Sequence, residues 1–275
     1  MSRMKGLEVT DHDGPARLGI LQLGGKPIST PAGCYLLGAE DGFRLYSIGR
    51  REDLTLAVGP QEGVNGIEHA LLRERYPEAT ILFAHPPPRS VTGLGEVRIF
   101  YARGGPEAEN MLVVVEAGES ASPSRLLEAV IGVREEVSSN VALLVADVPV
   151  WAMPLMALAG ADLLGDAHAY GSSVSNEMIF GSYAIPFDEN VGCECPFCAD
   201  PAVGAGSRDL LSHNRWVMGM ALSEIRNRMR LGKLKHMAEE RAIGHPEVYA
   251  ALKSLYSDHY RYLERHTTIC PGLRP

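Results

Sequence analysis

Apolar and polar stretches alternate along the middle of the chain in a pattern that is typical of strands separated by helices. Short apolar runs rich in β-branched or aromatic residues predict strands at 80–84 (TILFA), 97–102 (VRIFYA), 111–116 (MLVVVE), 141–146 (VALLVA) and 161–166 (ADLLGD). Apolar residues at helical spacing predict helices at 122–137 and 149–160. Because continuous apolar strands need cover on both faces, this order predicts an α/β fold with a buried parallel sheet, open or closed into a TIM-like barrel.

The two ends of the chain follow other patterns. Residues 16–33 and 35–49 have the pattern of hairpins, which predicts an N-terminal antiparallel flap over the start of the barrel. A long helix is predicted at about 207–231, with an apolar face made by Leu211, Met218, Leu222, Ile225 and Met229. The stretch 240–266 predicts one amphipathic helix, whose tyrosines are expected in the core rather than as platforms for stacked bases.

Composition narrows the class of protein. The 275 residues are enough for one large α/β domain, or for one domain with a small appendage. No apolar run approaches the ~20 residues of a membrane span, and the start MSRMKGLEV is too polar for a signal peptide. Five unevenly placed cysteines do not fit a secreted disulfide framework, so we expect a cytoplasmic protein. The net charge of −8 means that any nucleic-acid surface has to be local.

Three cysteines, Cys193, Cys195 and Cys198, lie close together in the sequence VGCECPFC. A polar, proline-containing loop is a poor place for buried apolar cysteines, and a redox C-x2-C pair would leave the third cysteine unexplained. Thiolates on a tight turn suit tetrahedral zinc, which needs a fourth ligand. His213, at the start of the predicted long helix, is the first candidate for that ligand, and the sequence therefore predicts a structural Zn²⁺ site.

Other assignments of the fourth ligand stay open at this point. His236 and His245 are the alternatives to His213. The two remaining cysteines, Cys34 and Cys270, are expected to be ordinary buried or surface thiols.

A polar residue follows each of the five predicted strands. In chain order they are His85, Arg103, Glu116, Asp147 and Asp166. In a parallel barrel these residues would share the C-terminal edge, where catalytic groups gather, although polar residues also simply begin loops. No G-x4-G-K-[ST] or G-x-G-x-x-G loop follows a strand, so a nucleotide-binding loop of those types is excluded.

A basic segment closes the predicted long helix. The sequence RNRMRLGKLKH contains six basic or imidazole side chains and no acid: Arg226, Arg228, Arg230, Lys233, Lys235 and His236. The segment is either a solvated helix face or a patch that contacts phosphates, and the five arginines and lysines are the candidate RNA-binding residues.

Four segments resemble the tRNA-guanine transglycosylase superfamily, specifically its archaeal branch. Residues 13–32 (DGPARLGILQLGGKPISTPA) are similar to the family's opening hairpin, and 141–167 are similar to its late barrel unit, which carries G-x-D-L-F-D. CECPFC followed by LLSHNRWV resembles the family's zinc site, and 240–264 resembles the terminal helix of archaeal members. Residues 36–140 match poorly.

The resemblance implies a (β/α)8 barrel with zinc-bearing helices that binds tRNA and exchanges a guanine for a 7-deazaguanine. In the family, the last aspartate of G-x-D-L-F-D is the nucleophile. The matching string here is GADLLG, residues 160–165, so Gly165 stands at that position and Asp166 follows it. Glycine cannot replace a carboxylate in covalent catalysis at an anomeric carbon.

Two classes of function follow from this departure. The first is a tRNA-modifying enzyme of the archaeosine-synthase kind, which acts on 7-cyano-7-deazaguanine already present in tRNA, with Glu116, Asp147 and Asp166 as candidate acid–base groups. The second is a non-catalytic, tRNA-binding subunit that pairs with an active relative. A third possibility is that exchange persists through Asp166 or Asp147.

The resemblance also implies an organisation of the chain. We expect the flap and the barrel, complete or reduced, within 1–190, and a zinc-binding subdomain with C-terminal helices within 191–275. By analogy with the family, a homodimer or a hetero-oligomer with a catalytic relative is expected.

Overall fold

A computed structural model describes most of the predicted elements. The described residues are 6–23, 27–40, 43–48, 54–60, 80–85, 97–103, 110–117, 122–188, 191–199 and 209–267. Cys270 lies outside these residues.

The N-terminal flap is a three-stranded antiparallel sheet. It consists of β1 (Gly6–Asp13), β2 (Ala16–Gln22) and β3 (Ile28–Thr30), in the order β1-β2-β3. Gly14, in the turn between β1 and β2, has φ of +65°, a conformation that favours glycine. The flap predicted from residues 16–33 is therefore confirmed, and it begins earlier than the pattern indicated.

Eight strands close into a barrel. They are β4 (Ala32–Glu40), β5 (Phe43–Ile48), β6 (Leu54–Pro60), β7 (Thr80–His85), β8 (Val97–Arg103), β9 (Asn110–Ala117), β10 (Ala142–Val145) and β11 (Leu163–Gly165). Each strand pairs with the next in chain order, and β11 closes the barrel by pairing parallel with β4.

The barrel sheet is mixed, which corrects the expectation of parallel strands throughout. Strands β5 and β8 run antiparallel to both of their neighbours, whereas β9, β10, β11 and β4 are parallel to one another, as are β6 and β7. Only two residues separate β4 from β5, and so short a link can join only antiparallel strands. The hairpin predicted at 35–49 therefore forms a wall of the barrel rather than part of the flap, and the described elements do not make a regular (β/α)8 barrel.

One apolar cluster fills the interior of the barrel, and a second lies between its outer face and the helices. The inner cluster contains alternate strand residues such as Leu112, Val114 and Leu163, and it continues into Leu7 and Leu21 of the flap, so the flap covers one end of the barrel. The outer cluster contains the intervening residues and packs against the helices; its strand members include Val113, Val115, Leu143, Val145 and Leu164. This alternation follows from the two-residue period of a strand.

Seven helices and one further hairpin are described. The helices are α1 (Pro123–Glu136), α2 (Met153–Leu158), α3 (Ala167–Val174), α4 (Leu210–Arg230), α5 (Leu234–Ala242), α6 (Pro246–Ser257) and α7 (Tyr260–His266), and the hairpin is β12 (Glu177–Ile179) with β13 (Ala184–Pro186). The side chain of Ser122 accepts a hydrogen bond from the backbone of Arg125 and caps α1, as its serine-rich start predicted. The long helix predicted at 207–231 is confirmed as α4.

The single helix predicted at 240–266 is wrong. The chain breaks there into the end of α5, then α6 and α7, because Gly244 and Pro246 interrupt the backbone hydrogen bonding between α5 and α6. The expectation for its tyrosines holds only in part. Tyr262 is buried and donates to the carbonyl of Ala159 (2.6 Å), whereas Tyr249 and Tyr260 are more than half exposed.

One buried carboxylate joins the flap, the barrel and α1. Asp162 is fully buried, and its two oxygens accept from Nε and Nη2 of Arg17 in β2 (3.0 and 2.5 Å). Arg134 of α1 pairs with Oδ2 of Asp162, and the backbone N–H of Leu143 donates to the same oxygen (2.8 Å). Arg17 also donates to the carbonyls of Ser139 (2.6 Å) and Val141 (3.1 Å).

The pKa and the contacts of Arg134 show how deeply this network is buried. Burial lowers the pKa of Arg134 to about 10, although Asp162 acts in the opposite direction. Arg134 further donates to the carbonyls of Gly160 (2.8 Å) and Val141 (3.0 Å). The guanidinium group of Arg134 therefore stays charged at neutral pH and holds the segments that lead into β10 and β11 in place.

We predict that Asp162→Asn destabilises the protein by about 3–5 kcal/mol, because it leaves two buried guanidinium groups without a counter-charge. The free energy of unfolding in urea measures the effect. The control is Glu128→Gln, which breaks the exposed pair of Glu128 with Arg125 (2.9 Å) and should cost less than about 1 kcal/mol. Equal effects of the two substitutions would contradict the role given to Asp162.

Candidate metal centre and the neighbouring barrel edge

Three thiols and one imidazole converge on a single point. The sulfurs of Cys193, Cys195 and Cys198 lie 3.6, 3.3 and 3.5 Å from Nδ1 of His213, and all four ligand atoms lie within 4.8 Å of one another. Among the described residues this is the one group of three or more metal-ligating side chains that could hold an ion. The three cysteines singled out in the sequence and the first candidate for the fourth ligand, His213, therefore lie close enough together to hold a metal ion.

The two alternatives for the fourth ligand lie elsewhere. His236 is exposed and pairs with Glu239 (3.5 Å). The ring of His245 stacks on Trp151 at a centroid distance of 4.6 Å, and its Nε2 bonds to the carbonyl of Ser182 (2.6 Å). Neither histidine belongs to the cluster.

The local backbone geometry positions the four candidate ligands. The N–H groups of Cys198 and Ala199 both donate to the carbonyl of Cys195 (3.0 and 2.9 Å), which closes a tight turn. His213 lies in the first turn of α4, and the side chain of Asp209 caps that helix by accepting from the backbone of Ser212 (3.1 Å). The turn and the helix start therefore fix the thiols and the imidazole independently.

The hydrogen bond on the far side of the imidazole sets its tautomer. Nε2 of His213 lies 2.8 Å from the carbonyl of Ile179, and because a carbonyl only accepts, Nε2 carries the proton. The unprotonated Nδ1 then faces the sulfurs, as a ligating nitrogen must. Asn214 binds the same strand, β12. Its Oδ1 accepts from the N–H of Ile179 (2.9 Å), and its Nδ2 donates to the backbone carbonyl of Glu177 (3.1 Å).

The chemistry of the donor set fits a thiophilic divalent cation. Burial, together with the neighbouring sulfurs, raises the pKa of the Cys198 thiol to about 12, so this thiol resists ionisation when no cation is bound. A divalent cation reverses this, because it stabilises the thiolates directly. Four ligands of the S and N type in a closed arrangement match structural zinc, and they leave no open position for catalysis.

Not all of the polar residues that follow the strands share one edge of the barrel. Glu116 lies near the end of the parallel strand β9, Asp147 and Asp166 follow β10 and β11, and the backbones of Asp147 and Asp166 form a β-bridge. Arg103 was expected at the same edge and is not there: β8 is antiparallel, and Arg103 pairs with Asn110 at the start of β9. Position 85 ends β7, and its side chain lies outside the described residues.

Asp166 is enclosed rather than open to a substrate. It is 1% exposed, and its Oδ2 accepts from Nε of Arg215 in α4 (2.6 Å). Leu163 belongs to the inner cluster and Leu164 to the outer cluster, so the alternation puts position 165 inside and Asp166 outside, toward α4. The ion pair with Arg215 ties this edge to the helix that carries His213.

Gly165 has no room for a side chain. A Cβ built on Gly165 would lie 2.1 Å from the carbonyl oxygen and 2.7 Å from the Cα of Ala146 in the neighbouring strand segment. Both atoms are backbone, so no rotamer change relieves the overlap. Any side chain at position 165 therefore requires β10 and β11 to move apart.

Several residues at this edge gave no signal in the sequence. Trp151 packs edge-to-face on His168 at a centroid distance of 5.1 Å and an interplanar angle of 85°. Burial raises the pKa of Asp147 and lowers the pKa of His168, and each group's charge opposes the shift of the other.

The basic segment divides between two environments. Arg226 donates to the carbonyl of Pro31 (2.7 Å), and Arg228 pairs with Glu224 and Glu240, at 3.4 Å in each case.

The other three cations of the segment lie nearer to solvent. Arg230 and Lys233 are exposed at the end of α4, and Lys235 lies over the ring of Tyr256 at 4.6 Å. Arg226 and Arg228 thus contact a backbone carbonyl and two carboxylates of the protein, and the RNA-binding role of the segment stays a prediction.

A mixed eight-stranded barrel together with a Cys3His cluster defines an α/β protein with a group of side chains that could hold a metal ion. A tRNA-guanine(15) transglycosylase of Pyrococcus abyssi is 35% identical over 80 residues, which are 26% of this chain and 14% of the relative. The relative of that name from Pyrococcus furiosus is 30% identical over 89 residues, 30% of this chain and 15% of the relative. No family model matches the chain.

A relative of the same name from Thermococcus onnurineus is 32% identical over 85 residues, 28% of this chain and 14% of the relative. The matched part of the chain thus spans about a seventh of the length of these curated relatives. The matches confirm the resemblance to the archaeal branch of the tRNA-guanine transglycosylase superfamily. Among the described helices, none has the length and apolarity that crossing a membrane requires.

We predict that Cys195→Ser lowers both the bound zinc and the thermal midpoint, because the buried Cys195 supplies one of four ligands and metal binding contributes to folding. Metal analysis of the purified protein and circular dichroism measure the two effects. Glu194→Gln, in the same loop, is the control and should change neither. A Cys195→Ser protein with full helicity, midpoint and metal content would contradict a structural metal.

Proposed function

We propose that this protein takes part in the 7-deazaguanine modification of tRNA, as in archaeosine formation, without carrying out glycosidic exchange itself. The partial match to archaeal tRNA-guanine(15) transglycosylases supports tRNA as the substrate. The Cys3His cluster supports the same superfamily, since its zinc motif was the most specific part of the resemblance. In this proposal zinc would hold the start of α4 and the turn of Cys193, Cys195 and Cys198 together, and the reaction does not pass through it.

The crowding at Gly165 is the observation that carries the proposal. Exchange in the superfamily needs a carboxylate where this chain has Gly165, and the backbone of Ala146 fills the space of a Cβ there. The next residue does not replace it, because Asp166 is buried and already paired with Arg215. An ion-paired, buried carboxylate cannot approach an anomeric carbon without breaking that pair.

Within this proposal, the activity we favour is conversion of a 7-cyano-7-deazaguanine already present in tRNA. Glu116 and Asp147 are the candidate acid–base groups for that reaction, since they lie at the carboxyl ends of β9 and β10, the edge where barrel enzymes place such residues. Addition to a nitrile needs proton transfer and no glycosidic nucleophile.

A second candidate is a non-catalytic, tRNA-binding subunit that assembles with a catalytic relative. The enclosed state of Asp166 favours it, because the carboxylate nearest to the family's nucleophile position has a structural partner. Both candidates place the protein in the cytoplasm, in a homodimer or a hetero-oligomer.

Three measurements on one zinc-loaded preparation separate these functions. We expect no incorporation of labelled guanine or 7-cyano-7-deazaguanine into unmodified tRNA, conversion of the nitrile in pre-modified tRNA supplied with ammonia or a primary amine, and binding of tRNA. Binding without either activity would select the subunit candidate. Incorporation of the labelled base would mean that Asp166 or Asp147 acts as a nucleophile, and the proposal would fail.

We predict that Gly165→Asp creates no exchange activity and destabilises the fold, because its Cβ overlaps the Ala146 backbone. The expected cost is on the order of 1–3 kcal/mol, measured by urea unfolding. Gly132→Asp is the matched control, since nothing lies within 4 Å of a Cβ at that helical position. Incorporation of the labelled base by the Gly165→Asp variant would contradict this prediction, because it would show that position 165 accepts a carboxylate.

We predict that Arg230→Ala combined with Lys233→Ala weakens tRNA binding several-fold and lowers the salt dependence of log K by about 2, which corresponds to two lost phosphate contacts. Filter binding at several salt concentrations measures both quantities. The control variant removes two cations elsewhere, Arg125 of α1 and Lys253 of α6. Equal losses in the two variants would indicate a general charge effect instead of a basic patch.

A further inference from the structure

A cluster of rings and one carboxylate lies between the segments that follow β10 and β11. Asp147 follows β10, Trp151 lies in the link to α2, and His168 is in the first turn of α3. The corner between α5 and α6 covers the cluster with His245, whose ring is parallel to that of Trp151 within 1°. The cluster sits beside the edge where Asp147 and Asp166 form their β-bridge.

Two polar atoms in this cluster are buried without a hydrogen-bond partner among the described residues. They are Oδ1 of Asp147 and Nδ1 of His168. Leaving such an atom unpaired costs about 1–3 kcal/mol, so proteins retain it mainly where another group uses it. Each side chain as a whole is only partly buried, although these two atoms are enclosed.

The two histidines that flank Trp151 have different roles. Nε2 of His245 donates to the carbonyl of Ser182 (2.6 Å), so this ring has a partner and serves packing. His168 has the same aromatic neighbour at 5.1 Å but no comparable hydrogen bond on its buried nitrogen. Trp151 thus fixes the plane of the His168 ring without occupying its Nδ1.

We propose that His168 is a catalytic acid–base residue at this edge of the barrel and that Asp147 is its positioning partner. His168 accepts a proton from a substrate group and returns a proton to the product, and the carboxylate of Asp147 stabilises the intervening imidazolium. This inference rests on the proposed function, because it needs a tRNA-bound substrate at this edge.

The charged groups around His168 set the direction of its titration. Burial lowers the pKa of His168, whereas Asp147 from the end of β10 and Glu177 of β12 raise it. The ring of His245 stacks on Trp151, which in turn contacts the His168 ring. The lowered pKa keeps the imidazole neutral near pH 7, which is the form that accepts a proton. Removing the charge of Asp147 should lower the pKa of His168 further.

Two readouts test the pair. In the zinc-loaded protein, NMR titration should give His168 a pKa below that of an exposed histidine, and Asp147→Asn should lower it again. In the nitrile-conversion assay, His168→Asn should reduce the rate about 100-fold or more, and Asp147→Asn should move the acidic limb of the pH–rate profile to lower pH. His12→Asn, on an exposed part of β1, should change neither readout.

The outcomes separate this inference from the proposed function. An active unsubstituted protein whose rate survives His168→Asn would overturn the role of His168 and leave the proposed function intact. A His168 pKa that does not respond to Asp147→Asn would overturn the pairing, even if His168→Asn failed to fold. An unsubstituted protein that binds tRNA but converts no nitrile would refute the favoured activity and, with it, the catalytic role of His168.

Discussion

The rest of the structure depends on the buried carboxylate of Asp162. It accepts hydrogen bonds from β2, α1 and the backbone of β10 while standing at the start of β11, so four separate elements meet at two oxygens. A charge this deeply buried is tolerated only when it is fully paired, and the guanidinium groups of Arg17 and Arg134 pair it. The aspartate of the family-like string and the arginine of the opening hairpin are therefore explained by folding, not by catalysis.

The close approach of β10 and β11 then decides what the barrel edge can do. It places Gly165 against the backbone of Ala146 and turns Asp166 outward to Arg215. Asp147 and His168 lie on the same side, in a cluster that the α5–α6 corner covers. The packing that excludes a side chain at position 165 thus leaves the carboxylate of Asp147 and the imidazole of His168 close to that position.

The candidate metal centre shows which parts of a site can be predicted from short sequence patterns. Three cysteines on a short turn and a histidine at a helix start were enough to select His213, and the structure brings its Nδ1 within 3.6 Å of all three sulfurs. The same reasoning could not find Ile179, whose carbonyl fixes the tautomer of His213, because a backbone contact across 34 residues leaves no side-chain pattern. It also could not find Trp151 or His168, which look like ordinary loop and helix residues until the segments meet.

The sequence by itself determined the elements whose signal is local: β7 to β11, α1, α4 and the cysteine turn, since apolar period, caps and ligand spacing act within a few residues. Only the tertiary structure decided the direction of β8 and the side of the strand on which each carboxylate emerges. Those choices depend on link lengths and on contacts between residues far apart in the chain, such as Asp166 with Arg215. A one-residue step along β11 separates a barrel interior from its outer face, and no local pattern records which of the two a given residue will occupy.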